Sequence, residues 1–333
     1  RLPIESLPVN RSPYTHRRTD LEAFGLPQLI IKQGWTKSTG RFRAVVCEGV
    51  EGRGALCSQS YVSVHASNEL AEWLESAALS YSSCLASYHL LLTSGRLASY
   101  RPEPLVEEIR TVPIAPPRAG LLAGLRSVED VDRRVCEAFS LRDAEWALVN
   151  DLVQYTLPDF KGDETSPGRQ PTERARRFSQ PAKSEPHLSA YCEYFARVLK
   201  AGFGQDKAIC ATIYQDAGDA PLPVRLVAIH LDWAREKSIV VERINSAALC
   251  DRLMELDEKW LQTGDQSRGG IFYQRVALVY SEVQHQSRVI PTIYIVKPDR
   301  IRYWTRSAAM RDADEVAGDV QLWKQQRVGR GRG

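Results

Sequence analysis

The sequence lacks the short motifs that accompany the common catalytic sites. It contains no G-x-x-x-x-G-K-S/T loop for nucleotide phosphates, no G-x-S-x-G turn for a nucleophilic serine and no H-E-x-x-H pair for zinc. Its six histidines are scattered along the chain. The sequence therefore supplies no catalytic residue that we can name.

Cysteine pairs and long apolar runs are also missing. The seven cysteines form no C-x-x-C pair, and their number is odd, which argues against a disulfide framework and against a zinc site. We expect most of them to be small buried hydrophobic residues in a reducing cytosol. No apolar run approaches the roughly 18 residues that a membrane helix needs, so we predict a cytoplasmic protein without a membrane span.

The net charge is small. Lysine and arginine number 44 against 41 acidic residues, which gives +3 and a pI near 8.4. The hydrophobic and charged fractions, 43% and 26%, are those of an ordinary globular protein. This charge does not by itself indicate a nucleic-acid partner, so any such interpretation depends on where the basic residues lie.

At 333 residues the chain is long enough for two domains. Composition and periodicity predict an α+β protein, and they divide the chain into consecutive parts. These are a connector at 1–26, a principal domain at 27–160, a flexible linker at 161–187, a smaller α+β domain at 188–326 and a basic tail at 327–333. The chain begins without methionine, from which we expect a fragment of something larger or a processed chain.

In the principal domain, period-2 patterns predict strands and a 3.6-residue period predicts helices. We expect an antiparallel meander of strands at 27–33, 41–47 and 55–65, then one long helix from Asn68 to Ser94. A strand at 106–114 follows, and then a helical pair at 128–139 and 140–153, the first helix capped by Ser127.

In the smaller domain, the same patterns predict helices at 188–200, 246–261 and 307–323 and strands at 208–214, 224–231, 272–283 and 291–297.

The succession from 55 to 114, a strand, a long helix, a short loop and a second strand, resembles the target-recognition domain of large bacterial adenine-N6 DNA methyltransferases. These include fused restriction-modification enzymes and phage-defence methyltransferases, and the resemblance covers about residues 20–160. Such enzymes carry an Asn/Asp-Pro-Pro-Tyr/Phe motif for the flipped adenine. Here the only Pro-Pro is Pro116-Pro117, in Ala-Pro-Pro-Arg, so the catalytic part is not in this chain.

The resemblance implies a chain that supplies sequence specificity and is not catalytic by itself. Its partners would be double-stranded DNA, a methyltransferase catalytic domain or subunit, and other subunits of a defence system. No cofactor is implied for this chain, and S-adenosylmethionine is expected in the catalytic partner.

Basic, amide and aromatic side chains give the candidate DNA contacts. Arginine and lysine neutralise phosphates or recognise guanine, and glutamine can recognise adenine with two hydrogen bonds. The candidates in the first hairpin and the third strand are Lys32, Gln33, Trp35, Lys37, Arg41, Arg43, Gln59 and Tyr61. Those in later loops are Arg96, Tyr100, Arg101, Arg300 and Arg302. A solvated hairpin over a packed Trp35, and an edge strand protected by charge near Arg300, are the alternative interpretations.

Two other functions stay open. One is a scaffold subunit that keeps the fold but does not recognise DNA. The other is a metal-dependent nuclease, which would need carboxylates and a lysine around a metal. The best candidate group is Asp312, Asp314 and Glu315, with Asp299 and Lys297 upstream. We expect these acids instead to cap a helix start or to lie on a solvated face.

Overall fold

The protein is described by a computed structural model that covers residues 1–3, 7, 24–36, 38–49, 54–99, 103–172, 185–203, 208–216, 222–231, 233–263, 277–285 and 288–330. It divides into two compact units, Arg1–Val153 and Gln154–Gly333. Both units combine helices with a mixed sheet, as expected for an α+β protein. The division falls at 153, so residues 154–160 of the predicted principal domain group with the second unit.

The first unit contains a four-stranded sheet. Its strands are β1 Leu2–Pro3, β2 Gln28–Lys32, β3 Arg43–Glu48 and β4 Tyr61–His65. The order is β1-β3-β2-β4, so the predicted meander is wrong: β2 lies between β3 and β4 and is antiparallel to both. The apolar run in β2 explains this order, because both faces of a central strand are covered, and Gln28 to Ile31 are all buried.

The helices of the first unit are α1 Ala71–Ser82, α2 Cys84–Thr93, α3 Gly95–Ser99, α4 Val106–Ile109, α5 Val128–Ala138 and α6 Asp143–Asp151. The predicted long helix is broken at Ser83, whose backbone is extended (φ −86°, ψ 164°) and whose hydroxyl donates to the Ser80 carbonyl at 2.6 Å. Asn68 is not its N-cap, because a 3₁₀ turn, Asn68–Leu70, precedes α1.

The predicted strand at 106–114 is also wrong. The segment begins with α4, because the Glu108 carboxylate accepts hydrogen bonds from the Leu105 amide at 2.7 Å and the Ser94 hydroxyl at 2.9 Å. Ile109 and Val112, three residues apart, both enter the core. The third predicted strand, 55–65, is shorter than expected and corresponds to β4 alone.

The core of the first unit lies between the sheet and α1. Leu29, Ile31 and Val46 are buried on one sheet face and pack in one cluster with Leu74 and Tyr81 of α1. The predicted helical pair is confirmed as α5 and α6. Its cap is confirmed as well, since the Ser127 hydroxyl accepts from the Asp130 amide at 3.2 Å. The second helix starts three residues later than predicted, after Ser140 with its positive φ of 52°.

The second unit contains a five-stranded sheet. Its strands are β5 Ile209–Asp216, β6 Val224–Leu231, β7 Ile239–Ile244, β8 Ala277–His285 and β9 Arg288–Pro298. The order is β7-β5-β6-β9-β8, with β5 and β7 parallel and the other neighbours antiparallel. Its helices are α7 Leu157–Phe160, α8 Pro186–Phe203, α9 Ser246–Thr263 and α10 Arg306–Arg330.

Most predicted elements of the second unit are confirmed, with the helices longer than predicted. Strand β7 was missed, because its charged pair Glu242-Arg243 interrupts a short apolar run. The described parts of 161–187 do not behave as the flexible linker that we expected. Thr172 and Glu185 are buried, and α8 begins at Pro186. Residues 173–184 lie outside the described residues, as do 331–333 of the predicted tail, whose earlier part continues α10.

Within the described residues, none of the helices is both long enough and apolar enough to span a bilayer.

Candidate nucleic-acid interface

One end of the first unit's sheet carries three predicted DNA contacts side by side. The strand register places Lys32 opposite Arg43 on one side and opposite Tyr61 on the other. Directly opposite residues of antiparallel strands point to the same face, so these side chains form a row across β3, β2 and β4. We call Arg43, Lys32 and Tyr61 the basic row.

The basic row is accessible, and its two cations are unpaired within the part of the chain that the structure describes. Arg43 is exposed, Tyr61 is 43% exposed and Lys32 is half-buried. Neither cation forms an ion pair with any residue that the structure describes. Two positive charges beside a phenol are therefore available to a ligand from solvent.

Part of the same sheet face is covered by the segment that precedes β4. Ile30 and Cys47 pack there against Ala55, in the segment before β4. The side chain of Gln28 holds this segment in place. Its amide nitrogen donates to the Ala55 carbonyl and to the Ser63 hydroxyl, both at 2.8 Å, and its amide oxygen accepts from the backbone N–H of Ala55 at 2.9 Å. The face is thus apolar and closed at one end and basic at the other.

Two glutamines adjoin the basic row. The backbone N–H of Gln33 donates to the backbone carbonyl of Ser60 at 3.0 Å, so the pairing of β2 with β4 continues past the row. Gln33 is half-buried and Gln59 is exposed. Successive side chains of a strand point to opposite faces, so Gln33 lies on the face opposite Lys32, and exposed Gln59 is the amide beside the row that is able to bond a base edge.

Trp35 is a packing residue. It is half-buried against the core of the first unit, with its ring 6.4 Å from that of Phe42, which in turn meets Tyr81 edge-on at 5.7 Å. The alternative interpretation, a hairpin over a packed tryptophan, describes this residue better than direct DNA contact. Lys37 lies outside the described residues.

Arg41 has an internal partner and does not join the basic row. Its two terminal nitrogens donate to the two carboxylate oxygens of Asp132, at 2.7 and 2.5 Å. Burial alone would lower the pKa of Arg41, but the hydrogen bonds and charge of Asp132 outweigh it and raise that pKa. The sequence did not indicate this pairing, because the partners are 91 residues apart.

The remaining candidates do not extend the row. Arg96 is half-buried in the short helix α3, while Tyr100 and Arg101 lie outside the described residues. In the second unit, Arg300 donates to the carbonyl of Asp299 at 3.0 Å, and Arg302 pairs with Asp159 at 3.2 Å. Both arginines are exposed but held by local contacts.

The acidic group of the second unit differs from the expectation. Asp312 is buried, forms an ion pair with buried Lys297 and accepts a hydrogen bond from the Tyr191 hydroxyl at 2.7 Å. Only Asp314 and Glu315 are exposed. Asp312 is therefore a neutralised core residue, and the described residues include no cluster of three or more potential metal ligands. Nothing in this geometry favours the nuclease hypothesis.

A second set of buried charges surrounds Arg225, at the start of β6. Arg225 forms an ion pair with Glu185 at 2.6 Å and approaches Asp299 at 3.9 Å. It also donates to the Thr172 hydroxyl, and the Gln215 amide donates to Glu185 at 2.6 Å. We call these five residues the Arg225 cluster. It joins Thr172 and Glu185, which flank the undescribed part of the expected linker, to the sheet, and this explains their burial.

Sequence reasoning missed Asp132. Its position does carry a signal, because it lies between Val131 and Val135 on the otherwise apolar stripe of α5. An acid in such a stripe is rarely buried unless it is paired. The pattern indicates that a partner exists but not which residue it is.

Comparison with protein-family models, curated proteins and solved structures gives no match for this chain.

Proposed function

We propose that the first unit binds double-stranded DNA through the basic row and supplies sequence specificity to an adenine-N6 DNA methyltransferase of a bacterial restriction or phage-defence system. The catalytic domain, with its S-adenosylmethionine, would lie outside these 333 residues, and the protein would act in the cytoplasm. The observation that carries the DNA-binding part is the register that aligns Arg43, Lys32 and Tyr61. The methyltransferase part rests on the sequence resemblance of residues 20–160 alone, since the long helix that carries it is broken at Ser83 and its second strand is replaced by α4.

The side chains suit separate roles. Lys32 and Arg43 would neutralise phosphates, which positions a protein on the duplex without regard to sequence. Gln59 would bond a base edge in the major groove, where adenine presents an acceptor and a donor to an amide. Tyr61 would donate its hydroxyl to the backbone beside it.

The number of phosphate contacts sets the salt dependence. Each contact adds about 0.9 to the slope of log affinity against log salt, so the two cations contribute about 1.8. Raising salt from about 50 to 200 mM then weakens binding through these two contacts alone by roughly 12-fold. A scaffold that does not bind DNA would show no salt-dependent binding.

The test is binding of the whole chain to random-sequence duplex DNA over this salt range. We expect the Lys32→Ala/Arg43→Ala variant to bind more weakly and to lose about 1.8 from the slope. The matched control is Arg110→Ala/Arg118→Ala, which removes the same charge from exposed positions of the same unit outside the sheet. Equal slopes for the two double variants would refute the role of the row. A wild-type chain that ignores DNA at low salt would favour the scaffold.

A further inference from the structure

The carboxylate of Asp132 joins three separate segments of the first unit. It accepts hydrogen bonds from the two terminal nitrogens of Arg41 and, at 2.9 Å, from the backbone N–H of Cys84. Cys84 is the first residue of α2, whose leading amides have no acceptor within the helix. Since the Ser83 hydroxyl is turned to Ser80, Asp132 supplies the cap from α5.

The connection between β2 and β3 is tied to the helices at a second point. The Ser87 hydroxyl of α2 donates to the carbonyl of Gly40 at 2.9 Å. Gly40 is buried with a φ of 67°, a backbone conformation that favours glycine. The connection also closes on itself, because the Thr36 amide donates to the Arg41 carbonyl at 2.6 Å. Two successive residues, Gly40 and Arg41, are thus held by α2 and α5.

These contacts set the position of Arg43 in the basic row. Only Phe42 separates Arg41 from Arg43, and Phe42 is itself buried against Tyr81. The end of the connection is therefore fixed by an ion pair, a hydrogen bond and a core side chain.

We infer that Arg41 and Asp132 are positioning residues for DNA binding, and that Arg41 does not itself contact DNA. This inference rests on the proposed function. The pair holds the β2–β3 connection so that Arg43 and Lys32 present their charges together. The connection is tied by Ser87 and Phe42 as well, so loss of the pair loosens it without unfolding the unit.

Replacement of Asp132 by asparagine distinguishes a positioning role of the pair from direct DNA contact by Arg41, because the two predict opposite changes in DNA affinity. The change removes one negative charge from the protein and releases Arg41, so electrostatics alone would strengthen DNA binding. Positioning predicts weaker binding. If the competent conformation falls to about one tenth of the population, the apparent Kd rises about tenfold.

The experiment measures binding of the whole chain to random-sequence duplex DNA at several salt concentrations, with Asp132→Asn, Arg41→Gln and the double variant. The control, Glu137→Gln, makes the same charge change at an exposed position of α5. We expect each single variant to weaken binding about tenfold with an unchanged salt slope, and the double variant to be no weaker. The control should bind as tightly as wild type or more tightly.

Two results would overturn the inference: tighter binding by Asp132→Asn, or a slope reduced by about 0.9 in Arg41→Gln, which identifies a phosphate contact. If Asp132→Asn does not fold, as judged by its circular dichroism, Ser87→Ala replaces it, with the same expectation of weaker binding at an unchanged slope.

Hydrogen exchange gives a readout that does not need DNA. The amides of Gly40 and Cys84 should exchange faster in Asp132→Asn than in wild type or Glu137→Gln. Unchanged exchange refutes positioning whatever the DNA result. Faster exchange in a chain whose wild type ignores DNA refutes the proposed function and leaves the contact between α5 and the connection established.

Discussion

Arg225→Met tests how the second unit tolerates its buried charges. The methionine keeps most of the length of the side chain but removes the positive charge, leaving Glu185 buried with one hydrogen bond, from Gln215. Breaking a buried ion pair from one side costs about 3–5 kcal/mol. Burial and Asp299 already raise the pKa of Glu185, although Arg225 opposes them.

Protonation of Glu185 sets an upper limit to the loss of unfolding free energy. A carboxylate with an ordinary pKa of about 4.3 can be neutralised at pH 7 for roughly 3.7 kcal/mol, and at pH 5 for roughly 1 kcal/mol. We therefore expect Arg225→Met to destabilise the second unit by about 3–4 kcal/mol at pH 7 and by much less at pH 5. The sign follows from linkage, because a raised folded pKa contributes stability at low pH that is lost as pH rises through it.

Hydrogen exchange of the β5 and β6 amides measures the unfolding free energy of this unit separately from the first. Adding Glu185→Gln to Arg225→Met should restore most of the loss at pH 7, because the neutral amide still accepts from Gln215. The control is Arg252→Ala, which breaks an exposed pair with Glu255 on α9 and should cost less than about 1 kcal/mol. A loss for Arg225→Met that is below about 1 kcal/mol at pH 7, or equal at both pH values, would refute the reasoning.

Two further changes test single contacts. Ser127→Ala removes the cap of α5 and should lower the unfolding free energy of the first unit by about 1 kcal/mol in urea denaturation, whereas Ser67→Ala, at an exposed serine whose side chain makes no cap hydrogen bond, should not. Tyr191→Phe removes one of the two donors to Asp312 and leaves Lys297 as the other, so it should cost about 1–3 kcal/mol at neutral pH. Burial, reinforced by Asp312, raises the pKa of Tyr191 well above its ordinary value. The contribution of the Tyr191 hydroxyl to the unfolding free energy is therefore complete below about pH 10 and is lost at more alkaline pH. If the difference in unfolding free energy between Tyr191→Phe and wild type stayed constant as the pH was raised above about 10, the prediction would be contradicted.

Local patterns were sufficient for much of the secondary structure. The 3.6-residue period of α8 and α9, the β-branched run of β6 and the serine cap of α5 each act within a few residues, so the sequence displays them directly. The basic row was predicted in part. Its members were named, but their alignment depends on a register between strands that are distant along the chain.

By itself the sequence determined an α+β protein with its principal helices and with the basic and amide residues of its first hairpin. The tertiary structure decided the strand order, the break at Ser83 and the roles of the charged residues. Arg41 and Asp312 look like solvated charges in the sequence, yet each is paired with a residue from another element. Burial of a charge is favourable only when a partner arrives with it, and such a partner is set by packing between elements, which local sequence does not encode.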